Sequence, residues 1–263
     1  LELGTFKLSM RVVVTAAVGF MLAAPLAVDW SVFGWTVVGT MLAALAANAF
    51  NQVWEVDRDR RMQRTRERPL PADRIGRVHA IAFAAVVGVT GVAMLAAAVN
   101  VFAALLAAGN IALYVLVYTP LKPRSVMNTL VGAVVGAVPP MIGWVAATGR
   151  LGPGAWALAA VLLIWQIPHF LSLAWCYRED YRKGGFRMLP VVDEPGDLTC
   201  RVVVMYCAVL LPVTLSVALV GAAGLIYAVG AVLLGMWMLV LGVRLYRRRS
   251  QSAARRLFLA SVI

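Results

Sequence analysis

The stretch NQVWEVDRDRRMQRTRERPLP, Asn51 to Pro71, sets four acids and six arginines between two long apolar runs. So much opposed charge has to be read against its flanks. Apolar runs of about twenty residues recur along the chain, each long enough to cross about 30 Å of hydrocarbon. Of 263 residues, 62% are hydrophobic and 14% charged, with a mean hydropathy of +0.84. A soluble domain is far more polar. Short alternating segments, the mark of a membrane barrel, are missing. The reading is an all-α polytopic membrane protein, and no cleavable signal peptide is evident.

Eight spans are expected, at 12–28, 31–53, 78–99, 101–118, 126–147, 154–176, 202–220 and 223–243. The basic residues test this count. Lys7 and Arg11 precede the first span, eight arginines separate the second and third, and Lys122 and Arg124 separate the fourth and fifth. Five more basic residues lie between the sixth and seventh spans and six after the eighth, leaving only Arg150 on the other side. That asymmetry makes the basic side cytoplasmic, in the cell (inner) membrane. The net charge of +12 is then an orientation signal and implies no nucleic acid. Cys176, Cys200 and Cys207 lack C-x-x-C spacing, which excludes a zinc ribbon or a disulfide framework.

The acids follow the same side, all but Asp29, although orientation does not demand it. They concentrate at 54–77 and 178–201, which points to one shared polar site. Asn51, Glu55 and Asp59 fall at i, i+4 and i+8, on one face of a helix continuing the second span. Three oxygen donors on one face suit Mg²⁺, which completes its shell with water and phosphate oxygens. A generic charge run is a solvated face. Acids that begin inside an apolar run are a functional hypothesis instead. Asp57 lies off the stripe and is placed to pair with Arg61 at i+4. Pro69 and Pro71 end any helix, so Arg64, Arg66 and Arg68 fall on a loop whose guanidinium forks match phosphate.

The second cluster, WQIPHFLSLAWCYREDYRKGGFRMLPV, closes the sixth span with His169 and then presents Arg178, Glu179, Asp180, Arg182 and Lys183 before Gly184-Gly185. Glu179 and Asp180 are expected to share metal with the first stripe. YTPLKPRS places Tyr118 and Lys122 at the same face, with Lys122 available to phosphate. Pro139-Pro140 should break the fifth span and shape a cavity.

Together these pieces resemble the UbiA superfamily of intramembrane prenyltransferases: Asn51, Glu55 and Asp59 with RTRERPLP (Arg64 to Pro71) match its first acidic motif. DRDRRMQRT, YTPLK, PPMIGW, His169-Phe170, REDY and GFRMLPV are similar to the haem-farnesylating branch. Glu55 departs from the pattern, which usually has Asp. The resemblance implies a helix bundle around a central cavity, a single prenyltransferase domain over 1–263, and Mg²⁺ as cofactor. It implies nine helices, against eight here plus a partial ninth at 255–263, an apparently truncated last helix. It implies farnesyl diphosphate and haem B as substrates, haem O as product, and haem A synthase or haem–copper oxidase assembly as partners.

On that resemblance, Asn51, Glu55, Asp59, Asp180 and Tyr118 are catalytic, and Asn51, Glu55, Asp59, Glu179 and Asp180 hold metal. Arg64, Arg68 and Lys122 bind diphosphate; His169, Arg178, Arg182 and Lys183 meet haem. A lone histidine is also an ordinary hydrogen-bonded structural residue. Three other functions compete. A UbiA enzyme acting on an aromatic or quinone precursor lacks the His-Phe and Met-Leu-Pro segments. A transporter needs ionisable residues near the midplane, whereas these cluster at one face. An assembly scaffold would release no diphosphate.

Overall fold

The computed structural model describes residues 5–24 and 28–262, without the Lys7 side chain. Every regular element among the described residues is helical. In chain order the α-helices are α1 Phe6–Ala23, α2 Trp30–Asp59, α3 Arg77–Ala98, α4 Val101–Ala112, α5 Thr119–Leu121, α6 Asn128–Thr148, α7 Pro153–Cys176, α8 Arg178–Lys183, α9 Leu189–Val192, α10 Asp197–Leu219, α11 Leu225–Arg248 and α12 Gln251–Ala260. A π-helix, Leu113–Tyr118, joins α4 to α5, so that Val101–Leu121 runs as one rod.

Seven of these rods are long and apolar enough to cross a membrane among the described residues, and α1 adds a shorter apolar stretch, Leu8–Ala23. The first expected span, 12–28, starts earlier than read and runs into residues 25–27, which lie outside the described residues. The partial ninth helix is α12, which begins at Gln251. Pro139 and Pro140 sit inside α6 without ending it.

Packing follows from side-chain size. The interior uses small residues: Ala16, Ala46, Ala80, Ala84, Ala103 and Ala133 are fully buried. Large apolar side chains such as Val89, Leu116 and Ile226 face outward. Lipid is as apolar as leucine, so membrane helices associate by close backbone approach through small residues. Two groups of helices result. One core joins α2, α3, α4 and α6 around Leu95, Ile142 and Val145. The other joins α6, α7, α10, α11 and α12 around Leu171, Val203, Leu245 and Leu257. Helix α6 belongs to both and also lies against α1.

Several polar residues are spent on these joints. Asp29 caps α2 by accepting from Ser31 N and Val32 N at 3.0 and 3.1 Å, which accounts for the acid that stood apart from the rest. Asn100 caps α4 and donates to Val145 O at 3.0 Å, tying α4 to α6. Asp193 accepts from the amide and hydroxyl of Thr199 at 2.7 and 2.8 Å in the first turn of α10.

Candidate active site

Helix α2 is 30 residues long, about 45 Å at 1.5 Å per residue, and therefore outruns a hydrocarbon layer of about 30 Å. Its last turns carry Asn51, Glu55 and Asp59, which are 6%, 5% and 1% exposed. The stripe expected from the spacing is real, and it faces the protein. Asn51 Nδ2 donates to Glu55 Oε2 at 2.9 Å, one turn along.

Buried carboxylates need partners, and each has a cation. Lys122 Nζ lies 2.9 Å from Glu55 Oε1 and donates to Asn51 Oδ1 at 2.8 Å. Burial alone would lower the Lys122 ammonium, but Glu55 with Tyr118 and Tyr114 outweighs it and holds it above its ordinary value. The ammonium also lies 4.5 Å from the Tyr118 ring centre and 5.8 Å from that of Tyr114. Arg68 donates to Asp59 Oδ2 at 2.8 Å, while Asp59 Oδ1 is buried with no hydrogen-bond partner among the described residues. Thr65 Oγ1 closes the loop by donating to Asp59 O at 3.0 Å.

The two acidic connections do meet. Asp180 accepts from Gln63 N and Arg64 N at 3.3 and 3.1 Å. Arg64 donates to the Tyr181 hydroxyl at 3.1 Å, and Arg58 donates to Gly184 O and Gly185 O. Arg187 N donates to Lys122 O at 2.9 Å, bringing the third connection in.

The structure does not gather all the expected ligands. Asp180 is occupied as a clamp on the first loop, and Glu179 is paired with Arg182 at the surface. Among the described residues no group of three or more His, Cys, Asp or Glu side chains is placed to hold one ion. Asp57 pairs with Arg77 at 2.9 Å and Arg60 at 3.7 Å, not with Arg61, because α2 ends at Asp59 and Arg61 turns away beyond it. Lys183 is exposed at the end of α8, and Arg178 reaches the carbonyls of Asp193 and Glu194. His169 Nδ1 shares a 2.7 Å hydrogen bond with Ser261 Oγ, and its ring stacks on Trp165 at 4.9 Å, facing α12.

Two cavities meet at this place. A polar pocket of about 110 Å³ is lined by Asn51, Glu55, Arg64, Arg68, Lys122 and Tyr181. A mostly apolar chamber of about 250 Å³ runs between α1, α2, α4, α6 and α7, past Val12, Ala47, Ile111, Val135, Pro139 and Phe170. Tyr114 and Tyr118 line both. Sequence reasoning named Tyr118 but missed Tyr114, although Tyr114 stands four residues before it. It also missed Thr119, which donates to Asn51 Oδ1 at 3.0 Å. Asn110 and Gln166, set in the chamber wall, gave no motif at all.

The chain is similar to known proteins in sequence and in fold. The model of the UbiA prenyltransferase family matches residues 12–263. A protoheme IX farnesyltransferase of Solibacter usitatus is 39% identical over 272 residues, covering 100% of this chain and 93% of the relative. The human mitochondrial protoheme IX farnesyltransferase is 43% identical over 99% of this chain, which spans 58% of that longer protein. In structure, a digeranylgeranylglyceryl phosphate synthase superposes with a TM-score of 0.82 at 15% identity, covering 100% of this chain and 91% of the other. An Archaeoglobus fulgidus UbiA homolog, solved with DMAPP and Mg2+, superposes with a TM-score of 0.73 at 15% identity, covering 99% and 97%.

Proposed function

Because the chain belongs to the UbiA prenyltransferase family, we propose that it transfers the farnesyl group of farnesyl diphosphate to a vinyl group of haem B. Water adds in the same reaction, giving haem O and diphosphate. The observation that carries the reading is the pair of cavities joined at Tyr114 and Tyr118. A donor with a charged head and a long apolar tail needs that combination, head among Arg64, Arg68 and Lys122, tail in the chamber.

Hard oxygen donors for Mg²⁺ are present in Asn51, Glu55 and Asp59, and the buried Asp59 Oδ1 without a partner is a free position for it. Asn51, Glu55 and Asp59, two carboxylates and an amide, would hold the ion, and bound there it would supply positive charge against the leaving diphosphate. Asp180 acts at one remove, fixing the loop that carries Arg64.

The chain's own residues do the rest. Charge builds on the diphosphate as the bond from oxygen to the first farnesyl carbon breaks. Lys122, Arg64 and Arg68 face the space where that charge appears, and such fixed cations favour the transition state over the ground state. The apolar chamber excludes water from the allylic cation. The terminal vinyl carbon then bonds to the first farnesyl carbon, and water supplies the hydroxyl to the inner vinyl carbon as a proton leaves. Tyr118 and Tyr181 orient the head group. His169 serves packing through Ser261.

Residues 12–263 act as one prenyltransferase unit, set in the cell membrane with the polar pocket toward the cytoplasm. Haem A synthase and haem–copper oxidases are consumers of the product on this reading. Expression in a strain without its own haem O synthase, followed by haem extraction and mass analysis, tests the reaction. Haem B heavier by one farnesyl and one hydroxyl group is expected; unmodified haem B from a folded, membrane-inserted protein overturns it.

A further inference from the structure

Neither cavity described above has room for a macrocycle. The chamber and the polar pocket, about 250 and 110 Å³, match a prenyl chain and its head group. A third space lies next to them. A groove of about 600 Å³ opens between the loop after α2, the end of α7, α8 and the start of α12, with Arg64, Trp175, Tyr177, Arg178 and Asp180 in its walls. That volume falls in the usual range for small-molecule sites, about 300–1,000 Å³.

Two guanidiniums, of Arg64 and Arg178, and two carboxylates, of Glu179 and Asp180, line it. Among the described residues, Arg178 lies 4.7 Å from the Trp175 ring centre and donates only to backbone carbonyls, while its buried Nε has no hydrogen-bond partner. Arg64 is held between two rings, 5.0 Å from the centre of Tyr177 and 5.3 Å from that of Tyr181. Among the described residues no salt bridge joins either guanidinium to a carboxylate. The acids of the groove are already paired, Asp180 with the amides of Gln63 and Arg64 in the same wall, Glu179 with Arg182. Aromatic walls with stacked guanidiniums suit a flat apolar body carrying carboxylates. Arg64 also lines the polar pocket, so it is the wall common to groove and donor site.

We propose that this groove is the acceptor subsite, holding a flat macrocyclic dicarboxylate against Trp175 and Tyr177 with its carboxylates toward Arg178. The opposite edge then meets the Arg64–Tyr181 wall, behind which the donor's diphosphate end lies. Arg64 is in this arrangement a boundary group, facing the leaving group on one side and the incoming edge on the other. The inference rests on the haem reading above and adds the place and the residues that receive the acceptor.

The test is titration of the purified full chain in lipid nanodiscs with haem B and with its dimethyl ester, followed by Soret absorbance. Arg178→Gln should weaken haem B about tenfold, equivalent to about 1.4 kcal/mol. Tyr177→Leu, at a position 40% exposed and so safe for the fold, should weaken it similarly. The ester should bind the wild type about as weakly as the diacid binds Arg178→Gln, and Arg178→Gln should not distinguish the two. Retained affinity for farnesyl diphosphate shows that each variant is folded. Wild-type haem affinity in both variants, or equal binding of diacid and ester to the wild type, overturns the subsite. Haem O formation with an unchanged haem KM in both variants sinks the groove and leaves the transfer reaction standing. Groove-dependent haem binding without any haem O does the reverse.

Discussion

At the scale of single residues, the site turns on how Glu55 is neutralised. The four-residue spacing of Asn51, Glu55 and Asp59 was legible because helical geometry alone sets it. The partner of Glu55 was not, because Lys122 arrives from a connection far along the chain and only folding brings it within 2.9 Å. Both oxygens of Glu55 are engaged. Its Oε2 takes the Asn51 amide while Oε1 faces Lys122. Removing one member of a buried ion pair leaves the other charge uncompensated, at about 3–5 kcal/mol. Lys122→Met should therefore lower the thermal midpoint in detergent by many degrees. Adding Glu55→Gln should return most of that loss, since the stranded charge goes with it, while farnesyl transfer stays absent. A single variant as stable as the wild type would show that Glu55 is neutralised by something other than Lys122.

At the scale of elements, the long apolar rods were legible from composition, but the π-helix Leu113–Tyr118 was not. Its residues are apolar or aromatic in any helical register, so periodicity gives no sign of a widened turn. Such turns recur at functional sites, and this one presents Tyr114 and Tyr118 to both cavities. The Thr119 amide donates to Tyr114 O, closing the wide turn. Helix α6 makes the space: a Cβ on Gly132 would stand 2.7 Å from Tyr118 Cε2. Gly143, on the same helix, is different in kind, since a Cβ there would stand 1.8 Å from Ala16 O, a backbone atom of α1. Gly132→Ala should displace the Tyr118 ring at a cost of about 1–3 kcal/mol. The KM for farnesyl diphosphate should rise about tenfold, or about 1.4 kcal/mol. Gly143→Ala should instead prevent α1 from seating on α6 and lower the yield of folded protein. Unchanged KM in a folded Gly132→Ala chain would remove Tyr118 from the donor site.

At the scale of the whole molecule, the division of charge between the two ends of the bundle was legible, and its meaning for the site follows from geometry. All the cationic partners of the polar pocket, Arg64, Arg68 and Lys122, come from connections at one end of the bundle, and Arg150 stands on the connection between α6 and α7 at the other. What the sequence left open was how three separate connections join there, because the joints are backbone amides and carbonyls: Asp180 to the amides of residues 63 and 64, Arg187 N to Lys122 O. The basic end should be cytoplasmic, because positively charged loops resist translocation. Cysteine labelling decides this. Cys200 and Cys207 are buried and silent, and Cys176→Ala removes the half-buried third thiol. In that background Arg150→Cys should react with an impermeant maleimide added to intact spheroplasts, and Arg66→Cys, in the exposed loop after α2, should react only after lysis. The reverse pattern would put the polar pocket of Asn51, Glu55, Arg64, Arg68 and Lys122 on the outer face and would overturn the orientation.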